Sequence, residues 1–119
     1  MGTAVPTFDQ VSRWNARTMR LNGASIHMGA QLLAAFAAAD LPEATGRVEA
    51  LRGRAEAGTG VLLRARNLAR SLLPAMERLG VATVAEVDLD TLLERMQKEA
   101  DSTNSVLVGH LEVGAWCHV

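Results

Sequence analysis

The sequence predicts one α+β domain, mostly helical, with four to five helices and two β-strands over about 45–52 and 105–118. Apolar residues recur at three- and four-residue steps along most of the chain, the rhythm of half-buried helices. Two stretches break that rhythm: residues 45–52 alternate between Gly46 and Gly53, and residues 105–119 run apolar with no internal proline. At 119 residues there is room for a single domain spanning 1–119.

Thr7-Phe8-Asp9-Gln10 has capping-box spacing, so a helix is expected over about 8–21. Phe8, Val11, Trp14 and then Thr18 or Met19 form its apolar side, and Asn22-Gly23 supplies a left-handed stop. A second helix runs from about Ser25 through Ile26, Met28, Leu32, Leu33 and Phe36. It ends at Asp40-Leu41-Pro42, because proline restricts the residue before it. Its Ala34-Ala35 and Ala37-Ala38-Ala39 steps permit close packing.

In the first strand, Val48, Ala50 and Arg52 share one side and Arg47, Glu49 and Leu51 the other. Gly58-Thr59-Gly60 introduces a helical stripe of Val61, Leu62, Leu63, Leu68, Leu72, Leu73, Met76 and Leu79, stopped by Gly80. Pro74 falls inside it and predicts a kink or break near Leu73. Thr83-Val84-Ala85-Glu86 is a second capping box. Asp88 or Asp90 caps a further helix through Leu89, Leu92, Leu93 and Met96, ending near Asp101. Val106, Leu107, Val108, Leu111, Val113, Ala115 and Trp116 suit a long, largely buried final strand. The expected order is α-α-β-α-α-β.

A formal charge of −1 lacks the positive excess that a phosphate backbone requires, so nucleic acid is not an expected partner. The charge is unevenly spread. Residues 1–80 carry 10 arginines against 6 acids, and residues 81–119 carry 2 basic against 7 acidic residues. These parts should attract each other, and such a dipolar layout serves self-association or docking as readily as an ionic ligand. Cys117 is the one cysteine, which excludes an internal disulfide and a cysteine metal cluster and suits a reducing compartment. The longest apolar run, 32–39, is too short to span a bilayer, and the first residues lack an export signal. No membrane association is expected, and the expected location is cytoplasmic. A chain of this size buries a modest share of its surface, so a second copy or another partner would help to cover it.

Several segments together form a recognisable layout. They are Ala39-Asp40-Leu41-Pro42 closing a helix, the strand at 45–52, Arg78-Leu79-Gly80-Val81-Ala82-Thr83, Glu86-Val87-Asp88-Leu89-Asp90-Thr91-Leu92, and Val113-Gly114-Ala115-Trp116 in the final strand. Over roughly residues 14–117 the chain resembles the C-terminal, acceptor-side part of bacterial Rossmann-like small-molecule methyltransferases that use S-adenosylmethionine. The resemblance implies helices that close over an acceptor substrate. The family's cofactor site, a strand, a glycine-rich loop and an acidic strand end, precedes this segment and has no counterpart here. Gly58-Thr59-Gly60 lacks the flanking strands that such a loop needs and reads as a helix-starting turn. No cofactor is expected.

No Ser-His-Asp, metal-helix or P-loop signature occurs, so chemistry has to come from scattered polar residues. In an unbroken final strand His110, Glu112, Trp116 and His118 share one face, and Leu111, Val113, Ala115 and Cys117 the other. His110 and Glu112 would then lie about 7 Å apart, as acid and base on one bound molecule or as a solvated pair. Cys117 and His118 oppose each other across the strand, which argues against a thiolate–imidazole pair and assigns Cys117 to the core. His27, at the start of the second helix, is a candidate base or a capping residue. Trp14 and Trp116 can stack on a planar acceptor or join the core. Arg13, Arg17 and Arg20 form a basic ridge, and Arg64, Arg66 and Arg70 begin another, with Arg64 the candidate anion anchor.

Two functions are consistent with these residues. One is a cofactor-independent cyclase or isomerase of a polyketide-like intermediate, with His27, His110 and Glu112 catalytic and Trp14, Arg64 and Trp116 binding substrate. The other is a non-catalytic substrate-binding or accessory subunit that completes a split S-adenosylmethionine-dependent methyltransferase. Either involves a small-molecule substrate and a homodimer or a methyltransferase-like partner chain.

Overall fold

The computed structural model describes residues 4–25, 28–50, 52–53, 55–109 and 112–119, with the backbone alone at 55–57. The architecture is α+β. Four helices, α1 (Pro6–Leu21), α2 (Met28–Ala38), α3 (Ala55–Arg78) and α5 (Leu89–Thr103), are joined by a one-turn α4 (Val84–Val87). Two small antiparallel sheets pair β1 (Thr45–Glu49) with β4 (Glu112–Trp116), and β2 (Arg52–Gly53) with β3 (Leu107–Val108).

The core lies where α1, α3 and α5 pack together. Leu62, Ala69 and Met76 on α3 and Leu92, Met96 and Ala100 on α5 meet Phe8 and Val11 of α1. These positions recur at three-, four- and seven-residue steps, which is why one face of each helix is apolar enough to be buried. Ala82, Val87 and Leu107 close the ends. Outside this core, α2 rests on β4 and buries none of its own residues.

Four helices stop by the same device, a residue with positive φ whose successor donates to a carbonyl five residues back. Gly23 (φ 92°) and Gly80 (φ 69°) do this as the sequence predicts, with Ala24 N donating to Met19 O at 2.9 Å and Val81 N to Met76 O at 2.9 Å. Asp40 (φ 57°) and Asn104 (φ 49°) do it without glycine. The second helix therefore ends on Asp40 itself, with Leu41 N donating to Phe36 O at 3.1 Å, and not only on the restriction imposed by Pro42.

Several expectations are corrected. The first helix begins at Pro6, where the missing N–H costs nothing, with Val5 as its cap. No capping box forms there, because the backbone N–H and the hydroxyl of Thr7 both donate to the Glu99 carboxylate of α5. Gly58-Thr59-Gly60 does not start a helix but lies inside α3, which runs through Pro74 without a break. The capping box at Thr83 and Glu86 does form. Asp88 precedes α5 but makes no side-chain cap, and its carboxylate accepts from the Thr91 hydroxyl at 2.6 Å.

Each predicted strand is divided. Between the pairs Glu49–Glu112 and Arg52–Val108 the first strand advances three residues and the second four, so the two ladders are offset by one residue. The final strand is also mainly exposed rather than buried, and Cys117 is only half-buried.

Candidate functional site

An apolar cleft of about 160 Å³ opens between α1, α3 and the segment entering β4. Phe8, Val61, Ala65 and Leu68 form its walls, and Gly109, Arg64 and Glu112 complete the lining. Val61, Ala65 and Leu68 lie four and three residues apart, so one stripe of α3 provides the floor.

At the edge of the cleft the Arg64 guanidinium donates to the Glu112 carboxylate at 2.5 Å. Both side chains are about 60% exposed (60% and 61%), so water screens the pair and its net worth is at most about 1 kcal/mol. Its position gives it meaning. It joins the basic 1–80 stretch to the acidic remainder and ties α3 to β4. Glu112 also pairs in register with Glu49, a like-charge juxtaposition that is unfavourable in a sheet. Each carboxylate has its own arginine, since Arg47 Nε lies 2.7 Å from Glu49 Oε1.

The predicted site residues separate in space. Arg64 and Glu112 come together at the cleft. Trp116 shares the Glu112 face of β4 and borders a shallow open groove with Arg47, Glu49 and Gly114, where it is 46% exposed. Trp14 is half-buried against the helical core, the packing role, and is not among the residues lining the cleft. His27 and His110 lie outside the described residues. Arg13, Arg17 and Arg20 are exposed along α1.

Phe8, Val61 and Leu68 were visible in the sequence only as helical stripe positions, which read as core, and Ala65 was not singled out. Phe8 and Val61 are buried in the core, and Ala65 and Leu68 are half-buried. A second hollow, bordered by Gly58, Gln97, Ala100 and Asp101, has its polar groups already engaged. Thr59 donates to Gln97 at 2.7 Å, and Gln97 donates to Asp101 at 2.9 Å.

No family model, curated protein or solved structure matches this chain. Function therefore rests on the geometry alone. Among the described residues, no three His, Cys, Asp or Glu side chains are grouped to hold a metal ion. No helix there is long and apolar enough to cross a membrane. The residues also do not fit S-adenosylmethionine through the one glycine-rich stretch. Gly58-Thr59-Gly60 is helical from Ala55 onward, whereas a nucleoside cradle needs a loop between a strand and a helix N-terminus.

Proposed function

We propose that the chain is a non-catalytic small-molecule-binding subunit that holds an apolar, ring-sized group in the Phe8–Val61–Ala65–Leu68 cleft, with the polar end of the ligand at Arg64 and Glu112. The observation that carries this reading is the Arg64–Glu112 pair at the edge of an otherwise apolar hollow. Apolar cavities of about 150 Å³ are large enough for benzene. The cleft of about 160 Å³ thus matches one ring and is small for a folded polyketide-like chain.

The cyclase or isomerase reading asks Glu112 to act on bound substrate, but its carboxylate is already engaged by the Arg64 guanidinium at 2.5 Å. An acceptor-holding role is also what the methyltransferase resemblance of residues 14–117, expected from the sequence, would imply. A separate polypeptide with the S-adenosylmethionine cradle would complete such a transferase. The lone Cys117 suits a reducing, cytoplasmic setting.

Phenol and benzoate are suitable probes, followed by NMR shifts of the cleft residues. Both should perturb Phe8, Ala65 and Leu68. Ala65→Leu, which fills the floor, should abolish both responses while leaving the helical signal intact. Arg64→Ala should weaken benzoate more than phenol. Undiminished binding to Ala65→Leu, or no shifts with either probe, would overturn the reading.

A further inference from the structure

We propose that a second copy of this chain pairs with the open edge of β1, antiparallel about a twofold axis through Val48, so that two α2–β1–β4 layers form one four-stranded sheet. The inference is independent of what the cleft binds.

The chain exposes more surface than its mass requires. A folded monomer of 12.7 kDa should expose about 6,200 Å². This chain exposes 7832 Å². Its radius of gyration is 16.6 Å, against about 13.5 Å for a compact domain of this length. The excess of roughly 1,600 Å² is more than the ~800 Å² per partner of a standard stable interface.

Part of the uncovered apolar surface lies beside β1. Val48 is paired with Val113 and so stands on the same face of the sheet, the face that α2 covers at β4. Val48 nonetheless remains 61% exposed. α2 continues this surface with no charged residue from Met28 to Ala38 and with Leu33 61% exposed. Among the described residues β1 has one neighbour, β4, so its other edge is unpaired. It carries neither lysine nor proline, and its two charged residues, Arg47 and Glu49, are of opposite sign.

Charge selects the occupant and the register. Strand β1 reads Thr45-Gly46-Arg47-Val48-Glu49, with opposite charges one residue either side of Val48. A twofold axis through Val48 sets Arg47 against the partner's Glu49, and the partner's Arg47 against Glu49, with the two valines together at the centre. Moving the axis to Arg47 or to Glu49 sets like charges face to face. The outer edge of β4, with Glu112 as its one charged residue, offers no such self-complementary pattern.

The test is mass in solution by size-exclusion chromatography with light scattering. The wild-type chain should run at twice 12.7 kDa. Arg47→Glu and Glu49→Arg each place like charges at both crossings and should run as single chains. An equimolar mixture of the two variants pairs opposite charges again and should recover the doubled mass. Both positions are exposed, and circular dichroism of each variant reports retention of the helices. A single-chain mass for the wild type, including the case where it associates only with a different polypeptide, overturns the proposal. So does a doubled mass for either variant alone, or a mixture that stays at the mass of one chain.

Discussion

Gly29 of α2 lies so close to Val113 of β4 that a Cβ on the glycine would come within 2.9 Å of Val113 Cγ2 and 3.2 Å of its Cβ. The missing side chain is what lets the helix lie on the sheet. Val113 is branched at Cβ and has little rotamer freedom to withdraw. Gly29→Ala should therefore destabilise, because overpacking costs about 1–3 kcal/mol while the gain in helix propensity is at most about 1 kcal/mol. Val113→Ala in the same chain should recover most of the loss. A double-mutant cycle by urea unfolding reads the coupling, and additive effects would show that α2 does not rest on β4.

What could be read from the sequence depended on how far apart the interacting residues are. The stops at Gly23 and Gly80 were legible because positive φ belongs to glycine, whereas Asp40 and Asn104 adopt it against the usual preference. The box at Thr83 was legible because Glu86 is three residues away. Thr7 shows the same spacing to Gln10 but is taken by Glu99, 92 residues on, which no local pattern reveals. The cleft follows the same rule. Arg64 and Glu112 could each be named as polar candidates, but their meeting depends on the path of the chain into β4. The offset between the two ladders exists only in the pairing of two distant strands.

The Thr7–Glu99 contact joins the first turn of α1 to α5, placing a carboxylate where the α1 dipole is positive. Two part-buried hydrogen bonds to a charged acceptor are lost in Glu99→Ala, which should cost about 1.5–3 kcal/mol. Thr7→Ala keeps the backbone bond at 2.9 Å and should cost less. Denaturant midpoints of the two variants establish the order. Equal losses would mean that the hydroxyl, not the carboxylate at the helix start, carries the contact.

Two glycines inside α3 should respond oppositely to the same change. Gly60 has nothing within 4 Å of an added Cβ, so Gly60→Ala should stabilise by about 1 kcal/mol through helix propensity alone. At Gly58 an added Cβ would meet the Gly53 carbonyl oxygen at 3.0 Å. That oxygen is backbone in β2 and cannot rotate away, so Gly58→Ala should lose the gain and Gly58→Val should destabilise outright. Thermal midpoints of the three variants measure this, and a rise for Gly58→Ala equal to that for Gly60→Ala would show that α3 does not press on β2.

Asn15 is 2% exposed in the seam between α1 and α3, and its Nδ2 donates to Ala65 O at 3.2 Å. Its Oδ1 is buried and has no partner among the described residues. A buried acceptor left unpaired costs about 1–3 kcal/mol, more than a neutral hydrogen bond returns. The Ala65 carbonyl lies within continuous helix and keeps its backbone partner when the amide is removed. Asn15→Leu, with the same branching and no polar atoms, should therefore raise stability by about 1 kcal/mol. Asn15→Asp, which buries a charge in the same seam, should lower it by several kcal/mol. Urea unfolding of both variants measures the difference. A clear loss for Asn15→Leu would mean that the amide fixes the spacing of α1 and α3, and that the seam cannot accept the extra volume.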